Sequence, residues 1–317
     1  MLKLDEKKIR KGKPVGLPYV GSKKKISKKI VEIIKQNFGT DKTVYDLFGG
    51  GGAITAELII NNMDVVYNDF DETIRDMFER VIIQDKNYLK TLIVDRETFF
   101  EIKNKQYKTT SDHLKLLINS FGNNRKDYLY SKKLSDIKYN LAVEILKKED
   151  VLSGYKKTVT YQKSAYKKID KNDSLQQLQS LQQLQRLQQL KGLPKTKNQL
   201  EQLTSLAQLE RFQELDYCPI TYSEDYHYFS DVTNSILYLD PPYENSDTSK
   251  YNEQINHKEF YEWAFQMSKN NILLISSYEV SDTRLECVYE FKTARSTLSG
   301  GVAGKRTEKL FMFKESN

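Results

Sequence analysis

The tetrapeptide Asp240-Pro241-Pro242-Tyr243 directly follows an apolar run, Ile236-Leu237-Tyr238-Leu239. Two successive prolines restrict the backbone, so the Asp240 carboxylate and a neighbouring backbone carbonyl become two acceptors at fixed spacing. Such a pair suits an amino group carrying two hydrogens. The exocyclic amine of a nucleobase is a poor nucleophile because its lone pair is delocalised into the ring. Holding both N–H groups turns that lone pair towards an electrophile, and a tyrosine face beside it can stack on the base. A rigid turn leaving a strand would account for the prolines, but it requires neither the acid nor the tyrosine.

A second feature can hold a ligand. Phe48 precedes four consecutive glycines, Gly49 to Gly52, and Asp69 closes the next apolar run. Glycines at the start of a helix let a ligand approach the backbone closely, and an acid at the end of the second strand can accept hydrogen bonds from ribose hydroxyls. A dinucleotide fingerprint would want Gly or Ala where Thr55 stands. In Gly16 to Lys23 the Ser and Lys of a phosphate-binding loop come in reversed order with no strand before them, which sets a nucleotide triphosphatase aside.

Positioning these groups falls to an α/β fold. Residues 43–48 read as a strand, 53–60 as a helix and 64–69 as a second strand, the opening of a parallel sheet whose ligands sit at the carboxyl ends of its strands. Upstream, Ser22 to Phe38 reads as an amphipathic helix with Ser22 as its cap and Ile26, Ile30, Ile33 and Ile34 on one face. Helical patterns follow at 71–84, 95–106, 112–121 and 135–149. Sheet signals return at 235–239, 272–275, 287–294 and 308–313. The expected division is an α/β body at 14–84 and 218–317, interrupted by a largely helical insertion at 85–217.

Within that insertion a Lys- and Tyr-rich tract at 154–171 leads into leucines at every third position from Leu175 to Leu193, and again from Leu200 to Leu215 with Phe212 at one step. An α-helix turns about 300° in three residues, so this stripe is expected to precess rather than hold one face. The readings are a Gln-rich spacer over 174–215 without chemistry, a short 3₁₀ helix, or a small solenoid.

The chain has 317 residues, 50 Lys and Arg against 43 Asp and Glu, and a net charge of +7. Eleven of those cations fall within residues 1–29. Together with 21 tyrosines, this suits phosphate contacts and base stacking. Two cysteines and three histidines make neither a disulfide framework nor a cysteine zinc site. The first residues lack the apolar core of a signal peptide, and no run approaches a membrane span. The expectations are a cytoplasmic protein with no metal and no membrane partner.

As an ordered set, Pro18-Tyr19-Val20-Gly21-Ser22-Lys23, Phe48 to Gly52 with Asp69, and Asp240 to Tyr243 resemble the Dam-type DNA adenine N6-methyltransferases, which use S-adenosylmethionine. The resemblance implies a Rossmann-like methyltransferase sheet interrupted by an insertion that recognises the target in double-stranded DNA. It implies that Tyr19 and Lys23 contact the cofactor, that Phe48, Gly50 and Gly52 shape its pocket, and that Asp69 holds its ribose. Asp240, Pro241 and Tyr243 would receive a flipped adenine, with Asp240 bordering the cofactor's amino-acid end. Two departures stand out: Gly21-Ser22 replaces the family's paired glycines before the lysine, and the leucine tract is foreign to its pattern.

In the insertion, Asn119 to Tyr130 is only loosely similar to the family's recognition segment and reads equally as a polar loop between two helices. On the former reading Asn124, Arg125, Lys126 and Tyr128 are candidates for base or phosphate contact. A Gly- and Ser-rich loop at 295–306 is a further surface for DNA. The nearest rival activity is cytosine N4 methylation, whose amino group has the same geometry. A rival of another kind is a catalytically silent DNA-binding or assembly protein with the leucine repeats as its partner surface.

Overall fold

A computed structural model of the chain describes residues 1–19, 21–84, 86–133, 135–148, 199–207, 218–244, 255–291 and 307–314. The 154–171 tract, the 174–198 and 208–215 parts of the repeats and the 295–306 loop lie outside the described residues. Two compact units emerge. The first comprises Met1–Leu17, Gly21–Ile82 and Phe212–Asn317, the second Pro18–Val20 and Ile83–Arg211.

The first unit begins with helix α1 (Ser27–Phe38), which buries Ile30, Val31, Ile33 and Ile34. It does not start at Ser22 as expected. Ile26, at φ −123° and ψ −5°, breaks the run, and Lys23–Lys25 forms a separate 3₁₀ turn whose Ser22 side chain accepts from the Lys24 N–H. Strand β1 (Val44–Asp46), helix α2 (Ala53–Ile60), strand β2 (Val65–Asn68) and helix α3 (Glu72–Ile82) follow. Helix α2 is apolar on nearly every side and accordingly buried from Ala53 to Ile59. Its one charge, Glu57, is gripped by both arms of the Arg10 guanidinium, at 2.7 and 2.8 Å. Arg10, and Lys29 at 2.6 Å from Glu6, are N-terminal cations that the fold itself uses.

The chain then enters the second unit, with helices α4 (Lys86–Lys90), α5 (Arg96–Asn104), α6 (Thr110–Ile118), α7 (Ser135–Lys148) and α8 (Gln199–Ala207). Asp95 caps α5, and Thr109 with Asp112 forms a reciprocal capping box on α6. Val94, Phe99, Ile102, Leu116 and Tyr128 make a core.

Helix α8 corrects the reading of the repeats. Part of the second leucine run is an α-helix, with Leu200, Leu203 and Leu206 all buried. Each three-residue step drifts by about 60° around the cylinder, so three leucines span an arc of only about 120°. Over nine residues a period of three still holds one face. Nor is this stretch a spacer: Gln199 is fully buried, its side-chain amide donating to the Val94 carbonyl at 3.1 Å and the Tyr128 hydroxyl at 3.2 Å.

The first unit resumes with β3 (Ile220–Tyr222), β4 (Ile236–Leu239), helix α9 (His257–Ser268), β5 (Ile272–Ser277), β6 (Leu285–Glu290) and β7 (Lys309–Phe313). The result is a Rossmann-like α/β fold: a seven-stranded sheet in the order β3-β2-β1-β4-β5-β7-β6, parallel from β3 to β5, with β7 antiparallel to both its neighbours. Leu237 and Leu239, two apart on one sheet face, pack with Leu273 and Ile275 against Phe260, Trp263, Ala264 and Met267 of α9. Strand β3 and helix α9 were not expected from the sequence.

Candidate active site

The sheet order reverses between β1 and β4, which pair in parallel with Asp46 opposite Tyr238. The Leu47 N–H continues the ladder to the Tyr238 carbonyl at 3.2 Å. The glycine turn and the Asp240 tetrapeptide therefore leave adjacent strands at their carboxyl ends, the crevice where open α/β sheets bind ligands.

In the glycine turn, side chains are excluded from both sides. A Cβ on Gly49 would lie 2.2 Å from the Tyr67 ring, and one on Gly52 would lie 2.2 Å from Phe78. Gly52 also holds φ at +65° and starts α2, a conformation that favours glycine. The Gly50 N–H donates to one Asp69 oxygen at 2.7 Å and the Asp71 N–H to the other at 3.0 Å. Burial pushes the Asp69 carboxyl up to about 6, against the pull of these two bonds.

Asp46, at the end of β1, is a residue that the sequence reading passed over. One oxygen accepts from the Thr55 N–H at 3.1 Å and the Thr55 hydroxyl at 2.7 Å. Its other oxygen is buried with no hydrogen-bond partner among the described residues. Desolvation raises this carboxyl to about 7, with the Thr55 bonds pulling down.

Asp240 sits in a denser network. One oxygen lies 2.6 Å from the Lys23 ammonium, and the other accepts from the Ser276 hydroxyl at 2.8 Å and the Tyr243 hydroxyl at 3.3 Å. Glu308, just before β7, accepts from the Tyr243 hydroxyl and is 3.7 Å from Lys23. The Lys23 ammonium also stands 5.0 Å from the centre of the Tyr243 ring. Burial works against this ammonium, but Asp240 and Glu308 outweigh it, and the Lys23 pKa is raised. Burial raises the Glu308 carboxyl despite Lys23, and burial with the two nearby carboxylates raises the Tyr243 phenol.

The first unit thus gathers Lys23, Asp240, Pro241 and Tyr243 with Phe48, Gly50, Gly52 and Asp69. The Phe48 ring packs edge-on against Phe260 at 5.7 Å. Tyr19 belongs to Pro18–Val20, which groups with the second unit. Asp46, Ser276 and Glu308 were missed. Asp46 lay in plain view at the end of a strand before glycines, whereas only the fold brings Ser276 and Glu308 to Asp240.

The DNA candidates separate. Gly122, Asn123 and Arg125 have positive φ, in a loop closed by the Ser120–Tyr128 bridge. The Asn124 side chain is spent inside this loop, accepting from the Lys126 and Asp127 N–H groups at 2.8 and 3.0 Å. Tyr128 is a correction: it is buried among Phe99 and Tyr130, its hydroxyl donates to the Val94 carbonyl at 3.0 Å, and it has no face left for a base. Lys126 is exposed and Arg125 half-buried.

Among the described residues no group of His, Cys, Asp and Glu is arranged to hold a metal ion, and no helix is long and apolar enough to cross a membrane. A comparison with curated proteins finds no match. The family model of the D12 class N6 adenine-specific DNA methyltransferases matches residues 19–273. That span runs from the Lys23 turn through the glycine turn and the Asp240 tetrapeptide into β5. It selects adenine N6 over cytosine N4 and an enzyme over a silent binding protein: the chain belongs to the D12 class of N6 adenine-specific DNA methyltransferases.

Proposed function

We propose that Asp240 and the adjoining Pro241 hold the N6 amino group of an adenine rotated out of double-stranded DNA, and that the methyl donor is S-adenosylmethionine seated against the glycine turn. The observation that supports this reading is the departure of the two motifs from paired strands β1 and β4, which sets Asp240 and the glycine turn at neighbouring carboxyl ends.

The residues suit this donor. Asp46 offers a buried oxygen with unused acceptor capacity, matched to the ammonium at the amino-acid end. The Asp69 oxygens each accept one backbone N–H and keep lone pairs for ribose hydroxyls. Residues 49–52 carry no side chains of their own, and the space a Cβ would take at Gly49 and Gly52 is held by the Tyr67 and Phe78 rings. When bound, S-adenosylmethionine supplies an electrophilic methyl group on a sulfonium sulfur.

Asp240 accepts an N6 hydrogen and points the nitrogen lone pair at that methyl carbon. During transfer the Asp240 carboxylate stabilises the positive charge developing on N6 until its extra proton passes to solvent. The Tyr243 ring stacks on the base. The second unit supplies target recognition, with Arg125 and Lys126 facing DNA phosphates or bases.

Incubation with duplex DNA and methyl-labelled S-adenosylmethionine, followed by digestion to nucleosides, tests this directly. Label is expected in N6-methyldeoxyadenosine. Asp240→Ala is expected to abolish nearly all transfer while cofactor affinity changes by less than about tenfold, since alignment of the reacting atoms is what is lost. Wild-type turnover by Asp240→Ala would refute the assignment.

A further inference from the structure

Tyr243 is the residue of the tetrapeptide with the weakest local restraint. Prolines fix the backbone before it, and within the motif its hydroxyl reaches an Asp240 oxygen at 3.3 Å, a long contact. The closer restraint comes from far along the chain. Glu308 accepts the Tyr243 hydroxyl hydrogen from a side chain that is only 6% exposed. Its backbone carbonyl in turn accepts the Phe291 N–H at 2.9 Å, which anchors it to the β6–β7 pair. On the other flank Tyr278 packs edge-on to the Tyr243 ring at 4.7 Å.

A buried carboxylate is costly unless it is paired and hydrogen-bonded. Lys23 is already within 2.6 Å of Asp240 and stands 3.7 Å from Glu308, so the ammonium serves two acids and is the closer partner of Asp240. The Tyr243 hydroxyl lies closer to Glu308 than to Asp240, so Glu308 is its nearer acceptor. With both acids ionised, Asp240, Glu308 and Lys23 together carry one net negative charge, a setting suited to an amine that becomes positive during transfer.

Resting on the assignment of Asp240 to Tyr243 as the base-holding motif, we infer that Glu308 is a positioning residue for methyl transfer. It acts through the Tyr243 hydroxyl to hold the ring in the plane that the flipped base must meet. The role requires of residue 308 an acceptor oxygen, and of residue 243 the ring that stacks and the hydroxyl by which it is held.

The test is a steady-state comparison of wild type, Glu308→Met, Glu308→Gln, Tyr243→Phe, the Glu308→Met/Tyr243→Phe double variant and Asp240→Ala. Met keeps the volume of Glu308 without its acceptor, so a folded protein remains if the cavity of an alanine unfolds the site. Glu308→Met and Tyr243→Phe are each expected to lower kcat by about tenfold, with KM for DNA changed by less than about threefold, because orientation rather than capture is impaired. Gln restores an acceptor oxygen and is expected to recover kcat to within about threefold of wild type. The double variant is expected to be no slower than either single one.

Wild-type kcat in Glu308→Met, a Gln variant as slow as Met, or losses that multiply in the double variant would each overturn the inference. Asp240→Ala separates the two levels. If it is inactive while Glu308→Met is normal, only the role of Glu308 falls. If it turns over normally, the base-holding assignment falls with it.

Discussion

The Lys23 ammonium lies 2.6 Å from an Asp240 oxygen, with only 12% and 16% of the two side chains exposed. The pair joins the 3₁₀ turn before α1 to the carboxyl end of β4. Because Ile26 breaks the helix after Lys25, Lys23 belongs to a turn of its own and not to the basic outer face of α1. Glu308 makes the arrangement asymmetric: two acids share one cation.

Removal of that cation leaves two buried carboxylates facing each other. Lys23→Met is expected to destabilise the protein by about 3–5 kcal/mol at neutral pH, the typical cost of breaking a buried pair. Without Lys23 the Glu308 carboxyl, raised by burial, loses the cation that pulls it down, so the folded state gains protons relative to the unfolded chain as pH falls. The loss of stability should therefore shrink towards pH 5. Urea unfolding at the two pH values checks this, and a pH-independent deficit would contradict it.

Asp46 gives a second pH signature of the opposite origin. Its carboxyl is raised to about 7 in the fold by desolvation, against about 3.9 when unfolded. Between these values the folded state binds more protons than the unfolded one, so its contribution to stability is greatest at low pH and is lost as pH rises through about 7. Asp46→Asn keeps an acceptor for Thr55 and removes the buried charge. The melting temperature of the ligand-free variant is expected to exceed that of wild type at pH 8, with the difference closing near pH 4, while its affinity for S-adenosylmethionine falls. Such opposition of stability and function marks a residue kept for binding.

The legible parts of this fold were those with local signals. Strands β1, β2 and β4 are apolar runs ended by glycines or an acid, and α2 matches its expected bounds because glycine turn and apolar segment adjoin. Strand β3 has three residues and exposes Ile220, so it shows neither alternation nor a continuous apolar run. Helix α9 does carry a helical spacing, in Phe260, Ala264 and Met267, with Asn256 as cap, and could have been read. Glu308 could not. Its importance comes from a pairing across the fold with Tyr243, and an isolated glutamate before a strand carries no mark of it.

Tyr128 misleads for a related reason. Its polar neighbours, Asn123 to Asp127, suggest an outward face, but the Ser120–Tyr128 bridge turns the tyrosine into the core while the loop between remains outside. Tyr128→Phe is expected to lower stability by about 1–3 kcal/mol, since the Val94 carbonyl and the Gln199 amide lose a buried partner, with DNA affinity unchanged. The double change Arg125→Ala and Lys126→Ala is expected to do the reverse. It should weaken DNA binding and reduce the slope of log affinity against log salt by about one for each phosphate no longer neutralised. Fluorescence titrations at several salt concentrations distinguish the two, and an unchanged slope in the double variant would remove both residues from the DNA surface.

The repeats invite the sharpest cut. Residues 199–207 share the leucine period of the tract before them, yet Leu200, Leu203 and Leu206 are buried and Gln199 bonds to Val94 and Tyr128. Their place is in the core of the second unit, so 199–207 belongs to the fold although it shares the repetitive sequence. Leu203→Ala is expected to cost about 2–5 kcal/mol, as for other fully buried leucines. Replacing 174–198 by a short Gly and Ser bridge is expected to leave the melting transition and methyl transfer intact. Extending the same deletion through 207 should strip the second unit of a helix and expose the polar groups that Gln199 satisfies. If thermal melts and labelled-methyl assays show the longer deletion to be as stable and active as the shorter, α8 is dispensable and the whole tract is a spacer after all.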